Sequence, residues 1–276
     1  MQWFKFFLSH SIFVSFCAVG LSYQSFILLR LPIDEDILIL IFSSTLASYN
    51  FYWLIAKYRF CDSGQINLFF FKNFSNILFF FIASLSVLIE LYKASDLIPF
   101  VFVATLLTFL YSIPLLPIKR LHFLCEAGFL KTFILAFTWS FVTVLLPAHN
   151  IVFESPGLIF LIFIIRFSFM QMLVIIFDTR DIKIDQLYSL HSLATDFPSW
   201  VIKIIMISLF VLYNVLLLIF MLHAGNLSHT IALASVGIAT IVLYVASLKN
   251  RGYYFYYFII DGLMLFSALA TFLATI

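Results

Sequence analysis

Three carboxylates, Asp178, Asp181 and Asp185, stand three and four residues apart in the stretch Asp178-Thr179-Arg180-Asp181-Ile182-Lys183-Ile184-Asp185, directly after a long apolar run. A helix continuing through this stretch puts all three on one face, because positions i, i+3 and i+7 recur every one to two turns. Like charges so placed repel one another, and a divalent cation removes the conflict. Hard oxygen ligands suit Mg2+, which completes its shell with water and substrate phosphate, so the pattern points to a catalytic Mg2+–diphosphate site at a membrane surface. The same residues also describe the solvated exit of a hydrophobic helix, and the spacing alone leaves both readings open.

What must position these carboxylates is a membrane bundle. The 276 residues are 64% hydrophobic and only 10% charged, with a mean hydropathy of +1.14, against an apolar share of about 45–50% in soluble domains. Runs long enough to cross a bilayer as helices lie at about 7–29, 37–58, 73–92, 97–113, 127–147, 156–177, 199–222, 229–248 and 253–275. These predict an all-α, polytopic protein of nine transmembrane helices, a single transmembrane domain over residues 1–276. The first run is too long for a secretory signal and lacks a small-x-small cleavage site, so a true helix is expected. Cys17, Cys61 and Cys125 are scattered, without C-x-x-C or histidine pairing, and suggest neither a zinc site nor a disulfide framework. The six histidines form no metal-ligand spacing on one face either.

With the N-terminus in the cytoplasm, twelve of the 15 Lys and Arg residues fall on the cytoplasmic side, only Arg30 and Lys93 fall outside, and Arg166 lies within a span. Asp34, Glu35, Asp36, Asp96 and Glu154 mark the opposite face. The longest polar connections, 59–72, 114–126 and 178–198, are all cytoplasmic, and any chemistry is expected there. Helices 2, 4 and 6 end at that face. Carboxylates at a helix C-terminus meet the negative end of the macrodipole, a second argument for bound metal or basic partners. Lys119 and Arg120 follow Tyr111-Ser112-Ile113-Pro114-Leu115-Leu116-Pro117, whose prolines fix a turn that holds the basic pair near the membrane. They could bind phosphate oxygens or serve as ordinary positive-inside residues, while Asn50 could supply an amide ligand.

The nine spans, the Asp motif after helix 6 and the Tyr-Ser-x-Pro…Lys-Arg loop after helix 4 resemble the UbiA superfamily of intramembrane prenyltransferases, as do Lys131 with Trp139 downstream and Asp261-Gly262 in the last helix. The resemblance implies a helical bundle around a central cavity that opens laterally to lipid. It implies an enzyme that binds an isoprenyl diphosphate through Mg2+ and transfers the prenyl group to a hydrophobic acceptor, commonly an aromatic ring. Asp178, Asp181 and Asp185 would be the metal ligands of the second Asp-rich motif, and Asn50 would begin the first. Lys119 and Arg120 would contact the diphosphate, with Arg180 and Lys183 as further substrate contacts. It also implies an integral, multi-pass protein of a bacterial inner membrane, with the active face cytoplasmic and no nucleic-acid partner.

The sequence departs from that pattern on helix 2. Asn-(Asp or Gln)-x-x-Asp-x-x-x-Asp is replaced by Asn50-Phe51-Tyr52-Trp53-Leu54-Ile55-Ala56-Lys57-Tyr58, so Leu54 and Tyr58 stand where carboxylates are expected. Asp62, one turn further on, could partly substitute. Ionising an allylic diphosphate requires its departing charge to be neutralised, and half of the expected metal-binding charge is missing. A second expectation therefore stands beside catalysis: a member that has lost its chemistry and serves as a lipid-binding or partner-binding membrane subunit. A transporter is disfavoured, since no pair of broken helices recurs in matching halves.

Arg166 lies roughly 18 Å deeper than Asp178 by helical rise. Charge at that depth is expensive, and two roles are open to it: a polar contact in the substrate cavity, with Gln171 nearby, or a buried structural pair. Tyr253, Tyr254, Tyr256 and Tyr257, beside Lys249 and Arg251, read as an interfacial aromatic belt.

Overall fold

Lipid offers no hydrogen-bond partners, so a chain this apolar has to satisfy its peptide groups within helices. The computed structural model describes residues 2–59, 66–112, 128–187, 191–224, 226–249 and 251–276, and among these every regular element is helical. In order they are α1 (Gln2–Ser9), α2 (Ile12–Leu29), α3 (Glu35–Arg59), α4 (Ile66–Lys72), α5 (Phe74–Lys93), α6 (Ile98–Ser112) and α7 (Gly128–Ser140). After these come α8 (Pro156–Leu187), α9 (Leu193–Asp196), α10 (Ser199–Ala224), α11 (Leu227–Ser247) and α12 (Asp261–Leu273). A π turn, Phe141–Leu145, extends α7, and another, Phe255–Ile260, leads into α12. Nine helices among the described residues are long and apolar enough to cross a membrane, one for each expected run, as in an integral multi-pass protein.

Packing arranges these helices in a ring. Successive neighbours run α5, α3, α2, α12, α11, α10, α8, α7, α6, and the 3-10 turn Ser95–Leu97 joins α6 back to α5. Large apolar side chains such as Phe81, Phe102, Ile207 and Ile231 stay exposed on the rim, where an aqueous protein would hide them and a lipid-facing one need not. The most deeply buried member of the ring is α8, whose Ile162, Met172, Leu173, Ile175 and Ile176 are almost wholly enclosed.

Two local features depart from the sequence expectation. The first span is not continuous: Ser11 takes a left-handed conformation (φ 62°) and splits it into α1 and α2. The break costs peptide hydrogen bonds, and Asn50 on α3 repairs one by donating from Nδ2 to the His10 carbonyl (3.1 Å). The sixth span runs past its apolar portion to Leu187 without interruption. Its 32 residues make a rod about 48 Å long, against a hydrocarbon layer of about 30 Å, and the surplus carries the carboxylates.

Candidate functional site

The ring encloses a cavity of ≈ 630 Å³ that is polar at one end and apolar at the other. Asp178, Arg180, Asp181 and Asp185 of α8, Lys131 of α7, Lys57 of α3 and Asp261 of α12 line the polar end. Val101 and Ala104 of α6, Leu135 of α7 with Val142 and Leu146 just beyond it, and Met170 and Leu173 of α8 line much of the rest, where the hydroxyls of Ser44, Thr105, Thr108 and Thr138 are turned back onto carbonyls of their own helices. From Met170 to Asp185 the cavity follows α8 for about 22 Å, long enough to hold an amphiphile lengthwise.

The α8 carboxylates do share a side of the helix, but each has its own surroundings. Asp178 is 7% exposed, and the Thr132 hydroxyl on α7 donates to its Oδ2 (2.6 Å). Asp181 is held by Arg180, which donates from Nε to Oδ1 and from Nη2 to Oδ2, both at 2.7 Å. The same guanidinium lies 4.9 Å from the Phe177 ring, 5.0 Å from Tyr256 and 4.9 Å from Tyr257. Planar, weakly hydrated guanidinium suits both the two-pronged carboxylate bond and the ring stacking. Asp185 is 5% exposed, and its Oδ2 has no hydrogen-bond partner among the described residues. A buried carboxylate oxygen without a donor is costly unless a ligand or ion supplies one.

Lys131 owes its place to a fixed helix start. The Asp196 carboxylate on α9 accepts from the Gly128 N–H (3.0 Å), capping α7 where an acidic group also suits the helix dipole. Gly128 itself lies against the backbone of Ser192, and a Cβ there would collide with it. One turn further, Lys131 lines the same cavity as Asp178, Asp181, Asp185 and Tyr52. Tyr52 in turn stacks on Tyr111, with ring centroids 5.2 Å apart. Ahead of α12, Tyr253 and the π turn's Tyr257 line the cavity together with Asp261, the first residue of α12.

Several expected site residues sit elsewhere. Asn50 does not line the cavity: besides the His10 carbonyl it bonds the Leu46 carbonyl (2.9 Å) and accepts from Asn76 (3.1 Å), which consumes its amide. Lys183 is exposed and also off the cavity wall, since it follows Asp181 by two residues and so points from another side of α8. Arg180 is present at the site, committed to Asp181 and its rings. Lys119, Arg120 and Asp62 lie outside the described residues. Arg166 is buried between α8 and α2, donating to the Leu21 carbonyl (3.1 Å) and Ser25 Oγ (3.3 Å), and does not line the cavity. The face α3 turns inward is Ser48, Tyr49, Tyr52, Trp53, Ala56 and Lys57, out of register with Asn50, Leu54 and Tyr58. Tyr253 and Tyr257, expected at a lipid interface, line the cavity instead. Lys131, Asp261 and the inward face of α3 are what sequence reasoning left without a role, although the Lys131…Trp139 and Asp261-Gly262 matches hinted at the first two.

Among the described residues no three Asp, Glu, His or Cys side chains converge closely enough to hold a metal ion. Asp178 and Asp185 are two turns apart, about 10 Å along the axis, and Asp181 between them is bonded to Arg180. Mg2+ commonly needs only one or two carboxylates and completes its shell with phosphate. The unpartnered Asp185 oxygen fits an ion of that kind on the α8 side, while among the described residues the cavity face of α3 offers no carboxylate for a second.

No family model matches the sequence, and no curated protein matches it. Among solved structures the chain is similar to one of digeranylgeranylglyceryl phosphate synthase, with a TM-score of 0.57 and 16% identity over 99% of this chain and 99% of that one. The likeness is one of fold: an all-helical bundle with nine helices of membrane-crossing length among the described residues.

Proposed function

We propose that this UbiA-like bundle is a membrane prenyltransferase, which binds an isoprenyl diphosphate in its cavity and transfers the prenyl group to a hydrophobic acceptor. The observation that carries the reading is the division of one cavity into a carboxylate-and-ammonium end and an apolar throat. Such a cavity suits a charged head on a long hydrocarbon tail, and the likeness of fold to a protein named for making a prenylated lipid phosphate supports the same class of ligand. Transfer breaks the allylic C–O bond, its electron pair leaves on the diphosphate, and the acceptor forms the new bond and gives up a proton.

In this reading Asp185 would hold Mg2+, which would supply positive charge to the leaving diphosphate, and Asp178 lines the same wall two turns away. Lys131 would add an ammonium in the same cavity, and Arg180 holds Asp181 in place beside it. Thr132 orients Asp178. The apolar throat excludes water from the tail and from the reacting carbon, which strengthens each electrostatic contact. The positive-inside charge pattern supports a polar end at the cytoplasmic face.

The test is binding of a non-hydrolysable farnesyl or geranylgeranyl diphosphate analogue to purified protein with and without Mg2+, beside Asp178→Ala and Asp181→Ala. Tight binding weakened in both variants is expected; no binding by the unmodified protein would sink the reading. A second reading, a lipid- or partner-binding subunit without chemistry, draws support from the lack of carboxylates on the cavity face of α3 among the described residues. It predicts that the analogue or a phospholipid binds while no prenylated product forms from any acceptor offered.

A further inference from the structure

Among the described residues Lys57 is the only charged side chain that α3 contributes to the cavity, and it stands on the wall where a carboxylate is missing. Its Nζ donates to Asn73 Oδ1 (2.9 Å), at the junction of α4 and α5. Asn73 is itself buried, and its Nδ2 donates to the Phe69 carbonyl (3.0 Å), so the oxygen that meets Lys57 is fixed in direction. A lysine that merely marks the inner side of a membrane has no need of a buried amide to aim it. An ammonium carries three donors, and the bond to Asn73 uses one. Lys57 sits exposed at the cavity mouth, where a ligand's most polar end would lie, and Lys131 and Asp185 belong to the other helices around the same space.

Resting on the function proposed above, we infer that Lys57 replaces a metal ion on the α3 wall and binds a phosphate of the prenyl diphosphate directly. The head group is then held between Lys57 on one wall and Lys131 with a single α8-bound Mg2+ on the other. A carboxylate wall recruits its cation from solution, whereas this wall has the cation built in. Lysine is a point charge with rotatable donors, adequate for a terminal phosphate that needs no two-pronged geometry.

The test measures calorimetric binding of a non-hydrolysable farnesyl diphosphate analogue in Mg2+ and in EDTA, and counts Mn2+ bound per analogue by electron paramagnetic resonance. The proteins are the unmodified chain, Lys57→Met, Lys57→Arg and Asn73→Ala, each checked for its unfolding temperature. The expected result is one Mn2+ per analogue and affinity about tenfold or more weaker in Lys57→Met, with and without divalent ion. Lys57→Arg should recover most of the loss and Asn73→Ala should show part of it. Wild-type affinity in both Lys57→Met and Asn73→Ala, or two Mn2+ per analogue, overturns the inference. If Lys57→Met fails to fold, Asn73→Ala and the Mn2+ count decide alone. Binding that Asp178→Ala weakens and Lys57→Met leaves intact removes only this inference, while no binding by the unmodified chain removes the proposed function with it.

Discussion

Thr132 and Asn50 look alike in sequence, as single polar residues in apolar helices, and the structure gives them opposite tasks. Thr132 fixes a carboxylate that faces the cavity, so Thr132→Val should weaken diphosphate-analogue binding about fivefold to tenfold while leaving thermal unfolding nearly unchanged. Asn50 ties the break before α2 to α3 and α5. Asn50→Ala should therefore lower stability by about 1–3 kcal/mol, the usual cost of stranding buried polar groups, with analogue affinity unchanged; denaturation in detergent beside a binding titration separates the two. The carboxylates were readable because three charges at helical spacing are conspicuous in so apolar a chain. Lys131 was not, because one lysine near a membrane boundary reads as topology. Nor was Asn50: its value comes from a left-handed serine forty residues away, and no local signal announces that Ser11 will adopt that conformation.

At the scale of helices, the site depends on two positions along the chain being held in step. The overhang of α8 sets the depth of the carboxylates, and the α9 cap on Gly128 sets the start of α7 and hence of Lys131. Gly128→Ala should be severe, since the added methyl falls on the Ser192 backbone and either α7 or α9 must move. We expect a lowered unfolding temperature together with loss of analogue binding. Asp196→Ala removes only the cap and should cost about 0.5–2 kcal/mol. The π turn before α12 works on the same principle, adding a residue that re-aims the helix face so that Tyr257 and Asp261 reach the cavity. Helix existence was legible from apolar runs, and boundaries came within a few residues at most ends. Register was not: a π turn or a one-position rotation of α3 changes which residues face inward without changing composition.

For the molecule as a whole, the nine spans were legible because hydrocarbon demands long apolar helices. Their ring order and the cavity were not, since a residue facing lipid and one facing a neighbouring helix are equally apolar. Filling the throat tests the division of labour directly. Val142→Trp should weaken the farnesyl analogue at least tenfold and leave inorganic pyrophosphate binding nearly unchanged, because only the tail needs that space; equal loss for both ligands would argue that the tail lies elsewhere. The wall of that throat also has an optical consequence. Of the four tryptophans, Trp3 and Trp200 are exposed, whereas Trp53 lines the cavity and Trp139 lines it with its indole N–H bonded to the Tyr49 hydroxyl (3.2 Å). With Trp3 and Trp200 changed to Phe, the remaining emission comes from the cavity wall alone, so a tail sliding past those indoles reports its arrival as a change of colour, with no label attached.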